Sequence, residues 1–360
     1  MNIELLDPTQ AAWSRALGAV AHDVYHRPCY MAAEAARTGT RAEAFVATDG
    51  ERRLFVPYLV RSCAELGPGA ADLYDITSPQ GYASPLTSAA GRDPVFVAQA
   101  LEALRTALRD RGRVCGFLRM HPILCADAAS LFPDDVLVDH GPSVAIDLGG
   151  DEADLFAQMK EKQREAVRRA ERLGYTATFE PLADVAGAIH ALYVETMDRV
   201  QAGDSYRLPL SYFDGLGDRP DTFACVVRHR GDIAAGCVFF EREGIVQAHL
   251  GGTFDAHLLA SPFALSLHAA AVRSQGRGGR WLHLGGGVGG ARDNLLRFKA
   301  SLGRGRFRLS SLRLVADPAA YARLLALRGF APGAEPAGFF PAYRAPRPEP
   351  QPLKQAQLAA

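Results

Sequence analysis

Three strings of residues carry types and spacings that could do chemistry. The first is His283-Leu284-Gly285-Gly286-Gly287, followed by Asp293 and then Phe298-Lys299. A strand that runs into three glycines and then a new helix makes a loop where an anion can reach backbone amides. From Arg297 to Arg313 there are six basic residues and no acidic one, Arg304 among them. The second is Lys160-Glu161-Lys162-Gln163-Arg164-Glu165-Ala166-Val167-Arg168, in which Lys160, Arg164 and Arg168 fall four apart. On a helix that spacing puts all three on one face. Taken singly, these strings also read as a tight turn and a solvated basic surface; taken together they describe a place for a phosphate-bearing ligand. Its members are Lys160, Arg164, Arg168, Gly285, Gly286, Gly287, Asp293, Phe298, Lys299 and Arg304.

The third string, His249-Leu250-Gly251-Gly252-Thr253, ends a strand in two glycines, which lets a ligand or another backbone approach closely. The three strings resemble the Fem family of amide-forming transferases, and that resemblance implies acyl transfer to an amine. That reaction needs a neutral amine, donors for the oxyanion and a held leaving group. No Ser-His-Asp or Cys-His arrangement stands out, so direct attack without an acyl-enzyme is the economical route. His249, His121 and Asp75 are the candidates to take the amine proton, Lys299 the cation of the site, and Tyr206 and Tyr82 the candidates to line the acceptor pocket. For each His the competing explanation is a hydrogen-bonded core residue, and for each Tyr it is aromatic packing.

Secondary structure must bring these strings together. The first half reads as mixed α/β, with strands at Ala44–Ala47, Leu54–Arg61, Val114–Met120 and Val144–Leu148 and a helix over Asp93–Arg111. Gly149-Gly150 is the expected domain boundary. Beyond it come a basic helix over Glu152–Leu173, a strand at Thr176–Glu180 and a helix at Ala183–Val200. Three strands follow at Thr222–His229, Ile233–Glu241 and Ile245–Thr253, joined by Arg-Gly-Asp and Glu-Gly turns. Helices at Pro262–Ser274 and Arg292–Ala300 alternate with strands at Trp281–Leu284 and Arg306–Leu314, and Asp317–Leu327 is a last helix. Residues 331–360, rich in Pro, are expected to be a largely disordered tail.

Bulk properties narrow the class. A chain of 360 residues suits two medium domains. No apolar run approaches the roughly 18 residues that span a bilayer, and Met1-Asn2-Ile3-Glu4 is not the start of a signal peptide, so a cytoplasmic protein is expected. The six cysteines are scattered with no CxxC spacing, which argues against a metal site or a disulfide framework. Net charge is zero, yet residues 1–150 hold 13 basic and 18 acidic side chains and the remainder 27 and 22. An anionic ligand therefore belongs on the second half.

In this order, the three strings resemble the second domain of the Fem family of amide-forming transferases in the GNAT superfamily. Tyr25-His26-Arg27-Pro28-Cys29-Tyr30, the segment from Tyr74 to Pro85, and Phe117-Leu118-Arg119-Met120-His121-Pro122 are similar to segments of that family's first half. The resemblance spans roughly residues 20–330. It implies an α/β (α+β) fold of two tandem GNAT-like domains with mixed, mainly antiparallel sheets. The first would occupy 1–149 and the second 150–315, with a helix at 316–330 packing back on the first. It further implies transfer of an acyl or aminoacyl group to an amine, with Lys299 and Arg164 at the family's phosphate-contacting positions. Family members that build peptidoglycan bridges carry an acidic residue where this chain has His121-Pro122, a departure that weakens the case for that acceptor.

The donor expected on these grounds is aminoacyl-tRNA, with no bound cofactor and no DNA partner. The acceptor is an amine of a small molecule or cell-envelope precursor. A CoA-using domain offers an Arg/Gln-x-x-Gly-x-Gly/Ala loop after the last meander strand, and Phe254–Ser261 lacks it. The match at Arg273-Ser274-Gln275-Gly276-Arg277-Gly278 lies after the next helix, in the wrong place. The alternatives are an acyl-CoA-dependent N-acyltransferase acting on a small amine or sugar nucleotide, and a non-catalytic adaptor in polysaccharide assembly.

Overall fold

Tight turns organise the strands before any tertiary contact does. Arg230-Gly231 and Glu243-Gly244 both have positive φ at each residue, the geometry of two-residue hairpin turns whose twist matches the flanking strands. They fold the middle of the second half into a three-strand meander. The computed structural model describes residues 1–217, 219–330 and 338–346. Its first half runs β1 (Asn2–Leu6), α1 (Ala11–Leu17), α2 (Pro28–Thr38), β2 (Arg41–Asp49), β3 (Arg52–Ser62), β4 (Tyr74–Thr77), β5 (Leu86–Thr87), α3 (Pro94–Arg109), β6 (Arg113–Arg119), α4 (Ala128–Leu131) and β7 (Leu137–Asp147). The second half begins α5 (Glu152–Gln158), α6 (Glu161–Arg172), β8 (Tyr175–Glu180), α7 (Leu182–Arg199), α8 (Leu210–Gly217), β9 (Thr222–His229), β10 (Asp232–Arg242) and β11 (Ile245–Thr253). It ends α9 (Phe263–Gln275), β12 (Trp281–Gly285), α10 (Asn294–Lys299), β13 (Gly305–Val315) and α11 (Pro318–Leu327).

The strand order is β1-β2-β3-β4-β6-β13-β7-β12-β11-β10-β9-β8, with β5 beside β3. This order is a palindrome. Each half contributes four antiparallel strands and a fifth parallel to the fourth, β4 with β6 and β11 with β12. The last strand of each half is then exchanged: β7 pairs with β12, β13 pairs with β6, and the two run antiparallel to each other through the centre. The two halves are thus twin α/β units of the expected type, fused into one sheet. The division at residue 149 separates strands that the structure joins. The exchange gives each unit's exposed edge a partner, which is the usual remedy for a sheet edge.

Helices cover both faces. On one face α1, α2, α7 and α8 share a single apolar core that crosses the seam, from Trp13, Tyr25 and Met31 to Leu192, Phe213 and Phe240. On the other face α5, α6 and α9 cover the second half and α3 with α4 the first. The segment expected as one helix over Glu152–Leu173 is two, because Met159 turns extended and Lys160 N–H bonds the Ser301 carbonyl at 2.8 Å. Lys160 is therefore the residue before α6 rather than a member of its basic face.

Residues 338–346, read from the sequence as part of the disordered tail, are packed. Tyr343 is fully buried, its hydroxyl donates to Asp75 at 3.0 Å, and the Arg344 guanidinium pairs with Asp75 and Glu65. The rest of that tail, 331–337 and 347–360, lies outside the described residues. With α11 set against β6 and the Cys63 and Ala70 region, this clasp ties the C-terminal segment to the first half. Asp75 also accepts from Arg61 at 2.8 Å. Arg344→Ala strips one partner from a buried carboxylate that keeps others. A loss of about 2 kcal/mol is expected, read as a lower urea midpoint at unchanged slope.

Candidate functional site

The seam between the halves holds a buried polar chain. Asp23 precedes the 3-10 turn Val24–His26, and its Oδ1 accepts the Val24 amide at 2.6 Å. Its Oδ2 accepts from His121 Nε2 at 2.9 Å and from Gln247 Nε2 at 2.7 Å. His121 Nδ1 accepts the Ile123 and Leu124 amides at 3.2 and 3.0 Å, so its proton sits on Nε2. Burial alone would raise the Asp23 carboxyl, but His121, the Val24 amide and Gln247 outweigh it and hold the pKa below the usual range. Gln247 Oε1 then accepts from His283 Nδ1 at 2.7 Å. Gln247 and His283 face each other in register on β11 and β12. The chain therefore runs from a first-half carboxylate through two second-half strands to His283.

A second cluster is aromatic. His249 lies in a bulge of β11, where β10 pairing skips from Leu250 to Ala248, and bulges re-aim side chains. Its Nε2 hydrogen-bonds the Tyr212 hydroxyl at 2.7 Å and its Nδ1 the Tyr25 hydroxyl at 3.3 Å. Tyr212 meets Tyr30 at 3.2 Å, and Tyr30 donates to the Gln80 carbonyl at 2.8 Å. Burial drives His249 down to about 3, so it is neutral. The Tyr25 ring fills the space of the missing side chain at Gly81, which has φ of 91° and could carry no Cβ there.

Both clusters open onto one corner. β11 and β12 pair over just three residues, Ile245–Gln247 with Trp281–His283, and part beyond them. At that parting lies Gly285, with φ of 81°. A single point beside its Cα is 3.3 Å from Lys299 Nζ and 3.4 Å from the Tyr82 hydroxyl. Lys299 donates to the Gly286 carbonyl at 2.7 Å. The Tyr82 ring stands edge-on to His283 at 5.3 Å and to Tyr25 at 5.9 Å. Burial pulls the Lys299 ammonium down to about 8 from its ordinary 10.5, against the opposing pull of Asp293 and Cys237. Two donors thus converge where a developing negative charge could be held.

The other residues singled out from the sequence fall in several places. Tyr206 is exposed on the α7–α8 connection, near enough to influence Tyr82 electrostatically, as Arg119 does. Phe298 packs under α9 against Phe263. Asp293 does not receive an anion. It caps α10 itself, accepting the Leu296 amide at 2.8 Å and the Val288 amide at 2.9 Å. Its carboxylate already occupies the helix N-terminus expected to take a phosphate. Gly286 and Gly287 are glycines for packing reasons, since a Cβ would overlap Leu309 at one and the Ala291 carbonyl at the other.

The three proton-acceptor candidates fare differently. Asp75 is committed to Tyr343, Arg344 and Arg61, in the C-terminal clasp. His121 has both nitrogens engaged and no exposure. His249 sits among tyrosines. Ser84, His26 and Asp23 mimic a triad, but His26 Nδ1 meets the Asp23 backbone and its Nε2 accepts the Ser84 amide, leaving no base for a nucleophile. Sequence reasoning assigned no role to Asp23, Tyr25, Tyr212, Gln247 or His283. The one local signal was a Gln and a His alternating inside the apolar β11, at 247 and 249.

The cations of the second half line a different edge. Arg164 and Arg304 both donate to the C-terminal end of α5, at the carbonyls of Met159 (2.7 Å) and Ala157 (3.0 Å). Arg306 donates to the carbonyls of Ala300, Gly303 and Gly305. Neither Arg304 nor Arg306 has a carboxylate partner among the described residues, and both are exposed. Arg164 is paired with Glu161, as is Arg168, which also lies over the Phe156 ring. Lys160 is exposed at the start of α6.

The strand order, the twin units and the parting of the parallel strands define a tandem GNAT fold. The structure of FemX has it: 99% of that chain superposes on 90% of this one with a TM-score of 0.68 at 11% identity. A conserved protein of unknown function from Bacteroides thetaiotaomicron is similar over 87% of this chain and all of its own, with a TM-score of 0.56 and 13% identity. L-PGS from Bacillus licheniformis covers 89%, and 96% of itself, with a TM-score of 0.50 at 13% identity. No family model matches the chain, and no curated protein does. At these identities the likeness is one of fold.

Lys299 supplies a direct test of this geometry. The chain has four lysines, Lys160, Lys162, Lys299 and Lys354. With 13C-dimethyl labels, one resonance is expected to titrate near pH 8 and to vanish in Lys299→Arg. Because the unfolded chain holds this proton up to about 10.5, folded stability should rise with pH between 8 and 10.5 on its account, and Lys299→Met should remove that rise. Four coincident titrations above pH 10 would contradict the buried position.

Proposed function

We propose that this protein is an N-acyltransferase that forms an amide by direct attack of an amine on an activated ester, with aminoacyl-tRNA as donor. The observation that carries the reading is the convergence of Lys299 Nζ and the Tyr82 hydroxyl at the point where β11 and β12 part. An ester carbonyl placed there has its oxygen between an ammonium and a phenol. As the amine adds, negative charge grows on that oxygen, and both donors strengthen with it. Addition forms the C–N bond; collapse re-forms the carbonyl and breaks the bond to the ribose oxygen, and one proton moves overall from nitrogen to that oxygen.

Direct attack is supported by the state of the nucleophiles. Burial pushes Cys237 well above the ordinary thiol range and Cys125 up to about 11, so neither is a thiolate. The resemblance to the Fem family, whose fold this chain has, points the same way. For the donor, support comes from Arg304 and Arg306, which have no carboxylate partner among the described residues, beside Arg164 and Lys160, and from the positive balance of residues 151–360. A polyanion fits that edge better than a single pyrophosphate.

Lys299→Ala should lower kcat/KM by a factor of ten or more, with circular dichroism unchanged. Activity of the wild type should fall as pH rises through about 8, where the ammonium is lost, and Lys299→Arg should move that limb upward if it retains activity. A pH profile flat to 10 would remove Lys299 from the chemistry.

The donor is tested separately. Each neutralised phosphate contributes roughly 0.7–0.9 to the slope of log K against log salt. Three or four contacts would weaken tRNA binding about tenfold or more between about 50 and 200 mM salt. Arg304→Glu should weaken binding without changing the amide product, and ribonuclease treatment of the donor should abolish product. Full activity with acyl-CoA and none with charged tRNA would replace the donor and leave the acyl transfer in place.

A further inference from the structure

His283 has one nitrogen that nothing in the fold uses. Its Nδ1–H is spent on Gln247 Oε1 at 2.7 Å, which fixes the tautomer, because the Gln247 amide nitrogen is itself held by Asp23. Nε2 is therefore a bare lone pair. The residue is 1% exposed, and Nε2 has no hydrogen-bond partner among the described residues. An orphaned acceptor in a folded interior is destabilising, because it gives up its bond to water and gains none. A strand position inside an apolar run would be served at lower cost by Leu or Val. Instead, a three-member chain of fully buried groups, Asp23, Gln247 and His283, holds this ring in one orientation.

What lies beside the ring gives the lone pair a use. Tyr82 stands edge-on at 5.3 Å, and the Lys299 charge reaches His283. A bulge in the β7 pairing separates His283 from Gly285 on β12, and Tyr82 spans the two, its ring beside His283 and its hydroxyl beside Gly285. Gly285 is the residue beside which Lys299 Nζ and the Tyr82 hydroxyl converge. The corner thus offers two donors and one acceptor, with Tyr82 and Lys299 half-buried at its mouth and His283 behind them.

We propose that His283 Nε2 receives the nucleophile: it accepts one N–H of the acceptor amine and so turns the nitrogen lone pair toward the carbonyl held by Lys299 and Tyr82. The inference rests on the acyl-transfer reading of the same site and assigns its acceptor end. His283 holds the hydrogen without keeping it. Burial, together with the neighbouring His121 and Lys299, drives the imidazole down to about 3, so a stable imidazolium does not form. The balance of the reaction is unchanged, with nitrogen losing one proton and the leaving oxygen gaining one. The neighbouring Lys299 ammonium also disfavours a protonated amine in the corner, so the amine that binds is the neutral, nucleophilic form.

The test uses the full chain, uniformly labelled with 15N-histidine, and hydroxylamine, a small neutral amine at pH 7.5, as the probe. His283→Asn serves to assign the resonance; Asn can keep the bond to Gln247 while lacking the outer acceptor. Before addition, His283 should show a proton on Nδ1 and an unprotonated Nε2 at every pH from 5 to 9. Hydroxylamine should move the Nε2 resonance upfield in a saturable manner and leave the Nδ1 resonance in place. A proton on Nε2, or no saturable shift, overturns the assignment. Because no donor is present, the outcome is independent of the donor claim. Failure of charged tRNA as substrate with a positive titration would leave an amine site of different use, whereas transfer activity with a negative titration would sink the His283 role alone.

Discussion

Everything at the site depends on the antiparallel ladder between β7 and β13. Each strand belongs by sequence to one half and by pairing to the other, so neither half has a complete sheet alone. Strand exchange fixes the relative position of the halves by backbone hydrogen bonds rather than by a pliable side-chain interface. Once β7 is seated against β12, the 3-10 turn at Val24–His26 and the Gly81-Tyr82 loop of the first half are brought over β11 and β12 of the second. Asp23 can then reach Gln247, and Tyr82 can reach Gly285, across 224 and 203 residues of chain. These groups meet at the seam, and its geometry is inherited from the ladder.

The seam is also unusually polar for a core. Asp23, His26, His121, Gln247 and His283 are all buried, and burial drives both His26 and His283 down to about 3. Keeping these two histidines neutral avoids the desolvation cost of further charges and lets their nitrogens act as directed donors or acceptors. A network of this kind stabilises little in net terms, but a misplaced half would leave its members unpaired, which penalises wrong docking of the two units. Its open end at His283 is the exception, and the exception lies at the corner that Lys299 and Tyr82 also face.

Much of the fold was legible because the signals are local. The meander of β9, β10 and β11 lies between apolar alternation and two Gly turns, and its bounds in sequence and structure agree within a residue or so. The helix α3 announces itself with Asp93-Pro94 and ends near Gly112. What could not be read was set by distant partners. Nothing in the run from Glu152 to Leu173 signals a break, because the break is made by the Ser301 carbonyl taking the Lys160 amide. The exchange of β7 and β13 has no local mark, since alternation tells a strand which face to bury and not which neighbour to choose. At the site, the string around Lys299 was visible by composition. Asp23 and Gln247 were not, for a buried carboxylate and a buried amide look like ordinary surface residues until their partners are known. The triple glycine misled for the same reason. Two of its members answer to Leu309 and the Ala291 carbonyl, and the helix beyond it is already capped by Asp293.

The two ionisable groups at the corner make opposed demands that one environment satisfies. An amine nucleophile must be neutral, whereas an oxyanion donor is best charged. In bulk water near pH 7 both an alkyl amine and a lysine would be protonated, so the nucleophile would be the minor species. Burial lowers Lys299 to about 8, which still leaves it mostly charged at neutral pH. The same burial and the Lys299 charge itself act on a second amine brought into the corner and lower its proton affinity further, since two ammonium ions a few ångströms apart repel in a medium of low dielectric. The first amine to enter the fold keeps its proton because Asp293 and the Gly286 carbonyl support it. The second finds only an acceptor, His283 Nε2, that can be satisfied equally well by a neutral N–H. Order of entry into one buried corner is thus enough to make one amine a cation and the other a nucleophile, without a strong general base anywhere in the site.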